Sequence, residues 1–113
     1  MTAATYNTIT KTAKEIFARS GYDGLSMRTL AEESGVGLSS IYHFFADKDV
    51  LLKKIFDETN TQLGAQRAKL PKRKTASYLL RDRIKFQFEH IEDVVFVLKY
   101  FLHFREQFNH QDR

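Results

Sequence analysis

Four histidines, at positions 43, 90, 103 and 110, are the side chains of this 113-residue chain best suited to hold a metal or move a proton near neutral pH. A metal site needs converging ligands, often paired three or four residues apart on a helix, with a second pair opposite. His103 and Glu106 have that spacing, and no second pair repeats it. The chain has no cysteine, so thiolate sites and disulfides are excluded. No nucleophile stands with a base beside it, and no glycine-rich phosphate loop occurs. The expectation is a protein that is not an enzyme and carries neither metal nor cofactor.

A different constellation lies between residues 27 and 46, and its chemistry is recognition. Two helices joined by a tight turn can lay the second in the major groove of DNA. Such a unit needs a small residue where the helices cross, a glycine at the turn, and apolar residues at fixed offsets. Ala31 is the small residue, and Gly35, four further on, can take the positive φ of the turn. Leu30, Val36, Ile41 and Phe44 supply apolar contacts between the helices, whereas Ser34 stands at an offset that is usually apolar. An ordinary helical hairpin uses the same residues. Two readings follow from spacing alone: a DNA-binding helix-turn-helix, or a helical ligand-binding or protein-interaction module without specific DNA binding.

The elements that must position this unit are all helical. One proline and five glycines interrupt the chain, and strand-like alternation is scarce. A first helix is expected from Asn7 or Thr8 to Ser20, with Ile9, Ala13, Ile16 and Phe17 on its apolar face. Gly21 should cap it, and Tyr22-Asp23-Gly24 should form a turn. Ser26 is an N-cap for the second helix, which ends at Gly35. A short third helix carries Ile41, Tyr42 and Phe44. Asp47 caps a fourth, whose stripe is Leu51, Leu52, Ile55, Phe56, Thr59 and Leu63. Pro71 marks a break. A fifth helix is expected over Thr75 to His90, and a sixth over Ile91 to Phe108. The sixth is apolar nearly all round, which predicts burial on several sides.

Charge adds little. The net charge is +4, but residues 1–50 carry five cations and six anions, so the excess lies downstream, much of it in Arg67 to Lys74. Such a run reads as a solvated loop or helix end. No signal peptide is visible, and the longest apolar run, Val94 to Leu98, is too short to cross a membrane. The expected location is the cytoplasm.

The stretch SMRTLAEESGVGLSSIYHFFADKDVLLKKIF closely resembles the N-terminal DNA-binding domain of the TetR family of bacterial repressors. The likeness covers about residues 7 to 56, and its most specific part is SSIYHFFADKDVL, Ser39 to Leu51. The resemblance implies an all-α fold: a three-helix DNA-binding head with a helix-turn-helix, residues 1–48, then a connecting helix and the beginning of an effector-binding and dimerisation part, residues 49–113. It implies a ligand-responsive repressor that binds double-stranded DNA at a palindromic operator. Arg28 and Thr29 resemble positions that contact phosphates and sometimes bases. Gly37, Leu38, Ser39, Ser40, Tyr42 and His43 match the exposed face of the recognition helix. Tyr42 and Lys48 match the family's phosphate-contacting tyrosine and lysine. Phe86, Phe96, Tyr100, Phe101 and Phe104 are candidates to line a pocket for a small-molecule effector. Relatives often carry Ser or Thr where Gly37 stands, a polar residue where Leu38 stands, and Tyr-Tyr-His-Phe where this chain has Tyr42-His43-Phe44-Phe45, so base preference does not transfer. Family members usually continue for several more helices, which complete the pocket and build a homodimer. The chain is therefore expected to be truncated and the intact protein dimeric.

Overall fold

The structure is a computed structural model that describes residues 3–72 and 74–111; Arg73 and the side chains of residues 106–111, Glu106, Phe108 and His110 among them, lie outside it. Six α-helices and no strand occur among the described residues: α1 (Ala3–Gly24), α2 (Met27–Ser34), α3 (Leu38–Phe44), α4 (Lys48–Ala68), α5 (Ala76–Glu89) and α6 (Ile91–Gln111).

Local chemistry sets the boundaries. α1 starts at Ala3, earlier than its apolar stripe requires, and buries Ile9, Ala13, Ile16 and Phe17. Gly21 breaks it with φ 76° and ψ −170°. This is not the left-handed cap expected there, but an extended conformation at positive φ that is essentially open only to glycine. A short helical turn then runs to Gly24. Ser26 Oγ accepts the Thr29 amide at 3.0 Å and starts α2. Gly35, at φ 73° and ψ 10°, ends α2 in the left-handed region, its N–H donating to Ala31 O at 3.0 Å. The odd residue Ser34 has a role here, since its hydroxyl accepts the Val36 amide inside the turn at 3.2 Å. The Asp47 carboxylate caps α4 by accepting the Val50 amide at 2.9 Å.

One apolar cluster joins α1, α2, α3, α4 and α6. Its centre is Ile9, Phe17, Leu25, Leu30, Ile41, Phe45, Leu51, Leu52 and Ile55, together with Phe96 from α6. Each such side chain contributes roughly 1.5–3 kcal/mol when fully buried. α6 packs against α1 and α4, while α5 touches little besides α6.

Two expectations are corrected. Phe45, not Phe44, is the aromatic core residue of the α3 region, at 1% exposure. α3 ends at Phe44, and Phe45 is extended (φ −137°, ψ 125°), which turns its ring inward. Phe44 stays half-buried against Tyr6. The sixth helix is not buried on several sides. Phe96, Tyr100 and Phe104 are buried, while Leu98, Phe101 and Leu102 are each about half exposed. α6 packs most closely against α1 and α4 on one side and touches α5 as well. α5 likewise buries only Phe86 and leaves Leu80, Ile84 and Phe88 exposed.

Candidate nucleic-acid interface

Seven residues of α3 divide between inside and outside by helical spacing. Ile41 is wholly buried and faces the core. Leu38, Ser39, Tyr42 and His43 lie on the other side and are exposed, with Leu38 at 38% and Tyr42 at 49%. Ser40 is half-buried at the edge of that face. Gly37 caps the helix through its backbone alone, at φ −60° and ψ 143°. The outward face thus presents one apolar side chain, hydroxyls, a phenol and an imidazole. These can touch a thymine methyl, donate to phosphate, or bond base edges.

α2 supports this face. Met27 and Leu30 are buried, whereas Arg28 is exposed in the first turn of the helix and Thr29 is half-exposed. Thr29 also accepts a hydrogen bond from the Ser26 hydroxyl, 2.8 Å away. Nearby, Arg19 makes a forked ion pair with Glu33 at 2.9 and 3.1 Å.

Lys48 is placed differently from the other residues of the motif. It is half-buried, and its ammonium donates to Tyr22 O at 3.0 Å and to Leu25 O at 2.9 Å. The same nitrogen stands 3.8 Å from the centre of the Tyr22 ring. Tyr22 in turn donates from its hydroxyl to Asp49 Oδ1 at 2.6 Å and stacks on His103 of α6, ring centres 4.1 Å apart. Phe104 meets its edge at 5.8 Å. In the sequence Tyr22 reads only as part of a turn. No local pattern signals its role, because its partners lie 26, 27 and 81 residues away.

The hydrogen bond to Asp49, then burial, then the negative charges of Asp49, Asp47 and Asp23 raise the Tyr22 hydroxyl to about 12. An unfolded chain releases that proton near 10.0, so between the two values the unfolded state is the one that ionises. Stability from Tyr22 is therefore full below about pH 10 and lost as pH rises towards about 12. Tyr22→Phe should make the alkaline loss of stability shallower. Tyr6, raised by burial and by its bond to Glu58, and Tyr100, raised by burial, should keep part of it. Urea midpoints at about pH 9 and about pH 11 measure this. Equal alkaline losses in the two proteins would contradict it.

The candidate pocket residues do not come together around one space. Phe96, Tyr100 and Phe104 fill the seam between α6 and the first four helices: Phe96 meets Phe17 edge-on at 5.3 Å, and Tyr100 stacks on Phe56 at 4.4 Å. Phe101 points away from that seam and is exposed. Phe86 is buried on α5, with His90 at 4.4 Å and the Arg67 guanidinium 5.6 Å from its ring centre. Among the described residues no helix is long and apolar enough to cross a membrane.

Residues 9–55 match the family described as bacterial regulatory proteins, tetR family. No curated protein matches the chain. Among solved structures, a TetR-family transcriptional regulator from Haemophilus influenzae RD superposes on 90% of the chain with a TM-score of 0.66 and 22% sequence identity. The chain spans 56% of that regulator's length. The matched segment, residues 9–55, covers the Ala31–Gly35 turn and all of α3 and is similar to the tetR family of bacterial regulatory proteins, and the six helices follow the fold of that solved regulator.

Proposed function

We propose that this protein is a transcriptional regulator that reads duplex DNA with the exposed face of α3, and that it represses until a small apolar or aromatic effector binds. The observation that carries this is the sorting of α3. Ile41 anchors the helix while Leu38, Ser39, Tyr42 and His43 project outward from a helix-turn-helix of the matching family. Ser39, Ser40, Tyr42 and His43 are donors for phosphate and base edges, Gly37 lets the backbone approach closely, and Arg28 with Thr29 contacts the flanking backbone. One such helix reads only a few base pairs. Two copies, with their α3 helices about 34–36 Å apart, would read a palindrome.

In this reading residues 1–48 recognise DNA and residues 49–113 connect and respond, although the packing is continuous across that division. The exposed apolar residues Leu80, Ile84 and Phe88 of α5 and Leu98, Phe101 and Leu102 of α6 are where effector and partner subunit belong. They equally suit the alternative of an interaction module without specific DNA binding. Selection from random duplex DNA separates the two. Enrichment of a palindrome, bound more weakly as salt rises, supports the regulator; binding without sequence enrichment favours the alternative.

Leu38 is the residue most able to shift base preference, because it can contact a thymine methyl and cannot donate. Leu38→Ala should change discrimination at one base position by about 1 kcal/mol and leave the melting temperature nearly unchanged, since the side chain is exposed in the free protein. Competition binding with single-base variants of the selected duplex, beside a thermal melt, checks both. Uniform weakening across the variants would remove Leu38 from the base-reading set.

A further inference from the structure

Tyr6, near the start of α1, sits where the end of α3 meets α4. Its ring meets Phe44 edge-on and Phe45 at a tilt, ring centres 5.7 Å apart in both cases. Two residues of α4 hold the phenol in place. Its hydroxyl donates to Glu58 Oε1, and the Lys54 ammonium stands 5.5 Å from its ring centre. The two phenylalanines differ in what surrounds them. Phe45 is enclosed by the core. Phe44 is half-buried, and besides Tyr6 it meets the His43 imidazole edge-on, ring centres 5.8 Å apart. A line of ring contacts therefore runs from Tyr6 through Phe44 to a side chain of the outward face of α3. An exposed imidazole left free samples several rotamers and loses that freedom when it binds. One resting on a fixed ring has less to lose.

We propose that Tyr6 is a positioning residue for base discrimination: its ring fixes Phe44, and Phe44 fixes the direction in which His43 is presented to DNA. His43 is then a specificity-determining contact whose aim is set from the first helix. The ring of Tyr6 is the working part. Its hydroxyl bond goes to an exposed carboxylate, which water replaces at little cost. The inference rests on the regulator reading above, because it assumes that α3 reads DNA.

The test uses the full chain, the duplex selected from random sequences and the single-base variants of that duplex. Tyr6→Phe, Tyr6→Leu, His43→Ala and the double variant Tyr6→Leu/His43→Ala are compared at a temperature where circular dichroism shows each folded. His43→Ala should reduce discrimination at one base position by roughly tenfold, within the range of a base-edge contact. Tyr6→Leu should reduce it at that same position and leave the other positions as in wild type. Tyr6→Phe keeps the ring and should keep the discrimination. The double variant should be no worse at that position than His43→Ala, since both changes remove one contact. In the free chain, side-chain couplings should show His43 in one rotamer in wild type and averaged in Tyr6→Leu.

Equal weakening on every duplex variant by Tyr6→Leu, with discrimination kept, would overturn the proposal and leave Tyr6 a packing residue. Additive losses in the double variant would overturn it too, as would a His43→Ala chain that discriminates like wild type at every position. If Tyr6→Leu does not fold, Phe44→Leu carries the same comparison, because it breaks the same line of contacts one ring further on. Failure of the wild-type chain to enrich any duplex would strike the regulator reading itself, and this inference with it.

Discussion

Phe45→Ala is expected to cost about 3–5 kcal/mol, the range for truncating a fully buried aromatic. It should unfold the first four helices under mild denaturant. A small domain has only about 5–15 kcal/mol of stability to lose. Phe45 sits at the junction of α3 and α4 with its ring against Tyr6 and the core of α1. A cavity there is lined by side chains of several helices that cannot all move in. Phe44→Ala should cost much less, roughly 1–2 kcal/mol, because the ring is only half-buried and its lost area is correspondingly small. Urea unfolding followed by circular dichroism ranks the two. A larger loss for Phe44→Ala would mean that the chain direction after α3 is wrong.

Ser39→Glu should abolish tight DNA binding without disturbing the fold. Ser39 is exposed in the middle of the outward face, so the fold has little stake in it. Surface changes of this kind usually stay within about 0.5 kcal/mol. At a DNA surface the same carboxylate meets phosphate. Like charges held together in an interface cost several kcal/mol, which lowers affinity by a factor on the order of a hundred or more. Gln62→Glu, an equal change of charge on the exposed side of α4, is the control and should lose far less. Anisotropy titrations with the selected duplex measure all three proteins. Equal losses at both positions would reduce the effect to net charge and detach it from α3.

The helix-turn-helix was legible because its determinants are local. Ser26, Gly35 and Asp47 act within four residues of their own positions, through caps and turns whose geometry follows from residue type. The alternation of Ile41 with Leu38, Ser39 and Tyr42 is likewise a property of seven consecutive residues. What escaped sequence reasoning was long-range. Nothing near Phe45 distinguishes it from Phe44; the choice is made by an extended backbone at the helix end. Lys48 fits a phosphate-contacting pattern, and nothing local foretells that its ammonium in the free chain meets carbonyls brought close by tertiary packing. Four aromatic residues of α6 suggested a pocket, but three of them, Phe96, Tyr100 and Phe104, seal the helix to α1 and α4. A uniformly apolar helix does not say which of its faces has a neighbour.

The central claim is that the outward face of α3, with the start of α2, is the surface that meets duplex DNA. Amide chemical-shift mapping of the chain during titration with the selected duplex tests it most directly. The account predicts that the largest changes fall on Arg28, Thr29, residues 37–43 and Lys48, with the outer face of α5 and α6 unmoved. Changes confined to that outer face, around Phe88 and Phe101, would contradict it.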